Sequence, residues 1–271
     1  DRQWSRGLGD VYKRQAIVRT NFKNEKNEFE VLDFMTRYKL DDQNFYSPPE
    51  IQRLIKPITG LPKIKVLYNP TLEYANGKTK TYEKEDFIVS VLDEASYETL
   101  FLYTDIEKKK ILENKEFELS KSVYLNLSYN EKIDLPSLSK SEEEFKKTQE
   151  YWLNWCKKSP SFKLYNKEIT RSSITLKLLT FEKTGAVLAA ATTSIPETIG
   201  EVRNWDYRFC WIRDASMVIK IIAKLGHQRI VKNFIDFIVN LIPNKNEKLQ
   251  IMYGIDGQKT LTEKILKHLS G

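Results

Sequence analysis

The chain has 271 residues, of which 41% are hydrophobic, 12% aromatic and 30% charged. That is enough apolar material for one large core or two smaller ones, and too much for a disordered segment. There is no run of about 18 apolar residues to cross a membrane as a helix. Two cysteines (Cys156, Cys210) and two histidines (His227, His268) leave little with which to build a disulfide framework or a zinc site, so neither metal nor cofactor is expected. The net charge of +7 comes from lysines interspersed with glutamates, as in Lys23 to Glu30 and Glu107 to Lys121. This is the pattern of a solvated surface, so no nucleic-acid partner is expected.

Asp1 to Gln15 shows neither strand alternation nor helical periodicity and carries a surplus of two positive charges. It reads as a foreign extension, with an ordinary flexible terminus as the alternative. From Ala16 to about Ser128 the signals are those of strands. Ala16 to Phe22, a polar turn and the alternating run through Phe29 and Val31 predict a hairpin. Ile64 to Tyr68, Asp86 to Leu92, Glu98 to Thr104 and Ser122 to Ser128 are further strands. Ala75-Asn76-Gly77 is a turn, and the prolines at 48, 49, 57, 62 and 70 punctuate loops. Many short strands without helices between them imply an antiparallel β-sandwich over 16–135.

Residues 129–140 are polar, contain Pro136 and form a linker. Ser141 to Glu144 fits a capping box opening a helix through Phe145, Trp152, Trp155 and Cys156, so 136–165 is read as a linker helix. Cys156, with no histidine nearby in sequence, reads as a small buried hydrophobe. After Pro160 the period becomes helical. Ile169 to Leu179 marks one helix and Ala215 to Leu225 a second, stopped by Gly226. Ile230 to Leu241 marks a third, stopped by Pro243, and Thr262 to Leu269 begins a fourth. Nothing in this half reads as a sheet. The fold class is therefore β plus α, with a second domain over 166–271.

The chemistry concentrates in Thr192 to Asp214, a connection longer than most. It holds Trp205, Tyr207, Phe209 and Trp211 beside Arg203, Asp206, Arg208, Arg213 and Asp214. A sugar site needs this mixture, because the C–H face of a pyranose packs on an aromatic ring while its hydroxyls need paired donors and acceptors. Competing readings are an N-cap role for Asp214, an ion-pair role for Arg213 and a core role for Trp211.

The segment GAVLAAATTSIPETIGEVRNWDYRFCWIRDAS resembles the start of the catalytic domain of glycoside hydrolase family 15, the glucoamylases and bacterial trehalase-like enzymes. NEFEVLDFMTRYKL, RLIKPITGLPKIKV, KTQEYWLNWCKK, RSSITLKLLTF and LQIMYGIDG look like successive segments of the bacterial branch. The resemblance covers Ala16 to Gly271 and implies a β-sandwich, a linker helix and the first few helices of an (α/α)6 barrel. The implied reaction is inverting hydrolysis of an α-glucosidic bond from the non-reducing end of trehalose or a malto-oligosaccharide. It implies Tyr207, Trp211, Arg213 and Asp214 as the residues around the terminal glucose. Asn204, Trp205, Asp206 and Arg208 would shape the loop.

Inversion needs two carboxylates about 6.5–9.5 Å apart. The family places both in later helix-connecting loops, so no catalytic residue is assigned in this chain. Glu197 and Glu201 do not match those positions, and Asp256 reads equally as site-lining or turn-forming. A truncated, inactive glucosidase is the leading expectation, with a non-catalytic carbohydrate-binding protein as the alternative. Free cysteines favour the cytoplasm.

Overall fold

The structure is a computed structural model that describes residues 5–6, 10–11, 14–41, 44–93, 97–192, 198–201, 205–242 and 248–269. The chain divides into two compact units, Asp1–Leu153 and Asn154–Gly271.

The first unit is built on one large antiparallel sheet. Its strands are β1 (Ser5–Arg6), β2 (Asp10–Val11), β3 (Val18–Lys23), β4 (Glu28–Phe34), β5 (Glu50–Thr59), β6 (Thr79–Glu83), β7 (Ile88–Leu92), β8 (Thr99–Thr104) and β9 (Val123–Tyr129). They lie in the order β1-β3-β4-β5-β9-β8-β7-β6, with β2 also beside β3. The antiparallel character matches the sequence expectation. The pairing, however, joins all nine strands in one sheet. Two smaller strand pairs, Tyr38–Lys39 with Phe45–Tyr46 and Lys63–Ile64 with Phe117–Glu118, complete the unit among its described residues.

Register explains why both faces of this sheet are apolar. Val31, Ile55 and Val123 stand opposite one another, and so do Leu32, Leu54 and Tyr124 one position along. Since successive side chains point to opposite faces, these two rows feed two separate cores. The first row joins Phe29, Ile88, Leu102 and Leu125 beneath Ile106, Leu119 and Ile111 of α1 (Lys108–Leu112). The second joins Ile17, Phe34, Val89, Phe101 and Tyr103, packed by Leu138 and Phe145 of α2 (Leu138–Lys157). Phe34 and Phe145 meet edge to face at 5.6 Å. A sheet covered on both sides shows runs such as Val31-Leu32 and Leu54-Ile55 in place of clean alternation.

Several elements differ from the sequence reading. The central strand β5 was hidden by Pro57, read as a loop residue. Pro57 pairs only with Phe29, where the β4–β5 register shifts, while β9 pairs with β5 no further than Ile55. Its missing N–H therefore interrupts no central ladder. β6 was also missed, and Ile64 to Tyr68 supplies only the two-residue strand Lys63–Ile64. The pairing of β1 and β2 with β3 uses main-chain bonds that need no side-chain pattern. Helix α2 begins at Leu138, three residues before the expected capping box, because the Ser137 hydroxyl accepts the Lys140 N–H at 3.1 Å.

Glu144, released from that capping role, turns toward the sheet. Its Oε2 accepts from the amide of Gln52, and Thr36 Oγ1 donates to the same oxygen at 3.4 Å. Asn126, opposite Gln52 in the ladder, donates to Glu50 Oε2 at 2.7 Å. All five residues are buried. Among the described residues the amide oxygens of Gln52 and Asn126 have no hydrogen-bond partner, so the cluster is rich in acceptors. Burial, opposed by the Asn126 hydrogen bond and reinforced by the Glu144 charge, raises the Glu50 carboxyl pKa.

The second unit contains α3 (Asn166–Leu178), α4 (Ile212–Lys224) and α5 (Gln228–Leu241). Helices α4 and α5 pack together through Ala215, Ile219 and Ile222 on one side and Ile230, Phe234, Phe237 and Leu241 on the other. Between them Gly226 takes a φ of 84°, the left-handed conformation expected of a helix stop. Gly185, at φ +86°, approaches α5 so closely that an added Cβ would sit 2.2 Å from the Asn233 carbonyl oxygen. No helix forms over 262–269, against expectation, and those residues are almost all exposed. An amphipathic pattern left exposed gains little from helix formation. Pro243 lies outside the described residues. Unexpectedly, this unit also holds a strand pair, β10 (Cys210–Trp211) with β11 (Met252–Tyr253).

Candidate functional site

The stretch from Trp205 to Asp214 is pinned on two sides by main-chain bonds. On one side, the Ala190 N–H donates to Tyr207 O at 2.8 Å and the Ala189 N–H to Phe209 O at 3.2 Å. On the other, Cys210 pairs with Tyr253 and Trp211 with Met252, and the Ile212 N–H donates to Ile251 O at 3.0 Å. Cys210 and Tyr253 are buried and anchor the pair. Burial raises the Cys210 pKa, so this residue is a structural thiol and not a nucleophile.

This framework turns a group of aromatic rings toward one another. Trp211 and Trp205 meet edge to face with centroids 6.1 Å apart, and Tyr207 tilts against Trp211 at 6.0 Å and 55°. Both separations lie within the favourable range for aromatic pairs. Trp211 and Tyr207 are half-buried, while Trp205 is 45% exposed. The Trp211 indole N–H donates to the Asp206 carbonyl at 2.9 Å. Asp206 also accepts from the Arg208 main-chain N–H at 2.9 Å and from the guanidinium at 3.0 and 2.7 Å. These bonds hold the Asp206 carboxyl below the usual carboxylate range.

Arg213 and Asp214 are not loop residues. They fall in the first turn of α4, whose N-cap is Trp211, so Asp214 does not cap the helix; it sits where a carboxylate meets the positive end of the helix dipole. Their side chains form an open ion pair at 3.5 Å, with Arg213 77% exposed. All four residues singled out from sequence thus lie on one short run from Tyr207 to Asp214. Half-buried rings and an exposed guanidinium–carboxylate pair there offer an apolar face beside strong donors and acceptors.

Other candidates separate. Glu197, Arg203 and Asn204 lie outside the described residues. Glu201 is exposed, in a turn where its N–H donates to Thr198 O. Asp256 accepts from the Gln258 N–H at 3.2 Å and shapes its own loop, which favours the turn-forming alternative. Sequence reasoning missed β11, because a two-residue strand is below the length at which alternation is readable. It also treated Asp206 and Arg208 as general loop-shapers, although an Asp two residues before an Arg is the spacing of a side-chain-capped turn. Among the described residues no group of three or more His, Cys, Asp and Glu could hold a metal ion, and no helix is long and apolar enough to cross a membrane.

Residues 163–270, which contain this site, match the family model described as Glycosyl hydrolases family 15. Curated relatives align over most of the chain. A trehalase of Thermoplasma acidophilum is 30% identical over 95% of this chain and 44% of its own length. A trehalase of Mycobacterium tuberculosis is 31% identical over 81% of this chain and 34% of its own length. A trehalase of Mycolicibacterium smegmatis is 36% identical over 65% of this chain and 28% of its own length. The chain thus spans less than half the length of these relatives, and no solved structure gives a significant match. The family model over the second unit and the trehalase similarity running through both units relate the chain to glycosyl hydrolase family 15.

Proposed function

We propose that this chain carries the terminal-glucose subsite of an inverting, exo-acting α-glucosidase, with trehalose as the favoured substrate and a malto-oligosaccharide as the alternative. Trehalose is preferred because the similar curated proteins are trehalases. The observation that carries the reading is the arrangement on the Tyr207–Asp214 run. The rings of Tyr207 and Trp211 offer an apolar surface to the C–H face of a pyranose. Arg213 and Asp214, in the first turn of α4, meet its outer hydroxyls as paired donor and acceptor. The helix dipole stabilises the Asp214 carboxylate as an acceptor.

Inverting hydrolysis separates binding from bond cleavage. One carboxylic acid protonates the leaving oxygen while a second carboxylate activates water on the far face of the ring. No carboxylate of this chain matches the family's positions for those roles, so the 271 residues bind the sugar without cleaving it. The helices of the second unit are assigned to the first part of an (α/α)6 barrel on the same resemblance.

Titrating the chain with glucose and trehalose while following tryptophan fluorescence tests the reading. Saturable quenching or a spectral shift is expected, abolished in Trp211→Ala, with no glucose released from trehalose. A featureless titration removes the sugar site. Turnover by this chain removes the division between binding and cleavage.

A further inference from the structure

The site contains a small device that its sugar-facing residues do not explain. Asp206 is held at four points, three by Arg208 and one by Trp211. Its Oδ1 accepts both the main-chain N–H and the Nε of Arg208, at 2.9 and 3.0 Å, and its Oδ2 accepts Nη2 at 2.7 Å. The first of these bonds closes a side-chain-capped turn. The other two are the bidentate fork by which arginine fixes a carboxylate in direction as well as distance. The fourth bond leaves from the main chain, where the Asp206 carbonyl accepts the Trp211 indole N–H at 2.9 Å.

We propose that Arg208 is a positioning residue: through Asp206 it fixes the plane of the Trp211 indole, the ring on which the sugar is to pack. The neighbouring peptides are already immobilised, Tyr207 O by the Ala190 N–H and Phe209 O by the Ala189 N–H. The direction of the Asp206 carbonyl is the remaining freedom, and the turn and fork remove it. Contacts with Trp205 and Tyr207 restrain the indole laterally, but an edge-to-face contact and a tilted one leave its rotation broad. One N–H to a fixed carbonyl narrows it to a single rotamer. The Arg208 side chain is 41% exposed, and an ion pair so placed adds little to global stability. Its hold on the indole therefore shows in the orientation of the ring and not in global stability. The consequence for affinity rests on the sugar-site reading above; the hold on the indole does not.

Hydrogen exchange of the Trp211 indole N–H, followed by NMR in the 271-residue chain, tests the hold. Arg208→Gln and Asp206→Asn are each expected to speed exchange about ten-fold at unchanged melting temperature, since the closed and open indole then differ by roughly one hydrogen bond. The double variant should be no faster than Arg208→Gln alone, because both act through one interaction. Arg208→Lys, able to reach one carboxylate oxygen, should recover part of the protection. Glucose affinity should fall in the same rank order. Unchanged exchange in Arg208→Gln overturns the proposal. It is also overturned if Asp206→Asn binds glucose as the wild type does while Arg208→Gln does not, since Arg208 would then meet the sugar itself. Absence of glucose binding by the wild type rejects the sugar-site reading alone, and the exchange measurement still decides the hold.

Discussion

Trp155 and His227 stack face to face, their centroids 3.9 Å apart and their planes 1° from parallel. The imidazole is buried, and its Nε2 lies 2.8 Å from Ser159 Oγ. Burial, aided by the Lys158 and Lys177 charges, lowers its pKa to about 4 from the ordinary 6.5. Histidine at the N-cap of α5 is therefore a neutral aromatic spacer between α2 and α5.

A pH dependence of stability follows. Between pH 6.5 and about 4 the unfolded chain binds a proton at His227 that the folded chain refuses, so this contribution is complete above pH 6.5 and is lost as the pH falls through that window. The loss amounts to about 3 kcal/mol at pH 4. Urea unfolding of the wild type and of His227→Phe across pH 4–7 measures it. The variant should be less acid-sensitive, and parallel curves would show that His227 is not the group responsible.

Lys177 is buried in the last turn of α3 and reaches Glu182 Oε2 at 2.5 Å, while Arg229 of α5 touches the other Glu182 oxygen at 3.3 Å. Removing one member of a buried pair strands the other charge, and removing that charge itself does not. Glu182→Ala strands the buried Lys177 and should cost about 3 kcal/mol, whereas Lys177→Met leaves a partly exposed Glu182 still paired with Arg229 and should cost less. Thermal melts of the two variants check the asymmetry, and equal losses would mean that the pair is not desolvated.

The acceptor-rich cluster beneath α2 gives a prediction of opposite pH sign. The Glu50 pKa is raised on folding, so the stability it contributes is full below its unfolded value and is lost as the pH rises through the folded one. Glu50→Gln keeps an acceptor for the Asn126 amide and adds a donor near the Asn126 oxygen, which has no partner among the described residues. It should stabilise the chain by about 1 kcal/mol at pH 7 and have no advantage near pH 4. Denaturant midpoints at the two pH values check it.

Arg213 separates binding from stability. Its pair with Asp214 is long and exposed, so Arg213→Ala should leave the melting temperature within about a degree of wild type. Loss of the hydroxyl-facing donors should nevertheless weaken glucose binding about ten-fold. A fall in melting temperature with unchanged glucose affinity would return Arg213 to a purely structural ion-pair role.

What the sequence displayed depended on the range of the forces involved. The hairpin of β3 and β4, the helix periods at Ile169, Ala215 and Ile230, and the stop at Gly226 are local, and each is where residue pattern places it. The run Tyr207–Asp214 was legible for the same reason, since its chemistry is contiguous. β5 was not, because the tolerance of Pro57 depends on which neighbour reaches that position, a matter of register with β4 and β9.

The capping box at Ser141 illustrates the same limit. The four-residue pattern is genuine, yet Ser137 captures the helix start and Glu144 is drawn to Gln52 and Thr36, more than ninety residues away in sequence. Sequence alone determined the composition of the candidate site, the strand-then-helix order and the helix stop at Gly226, since these follow from neighbours within a turn or two. Only the tertiary structure decided which strand lies at the centre of the sheet, which carboxylates are buried and how Trp211 is held, because those depend on groups brought together by packing.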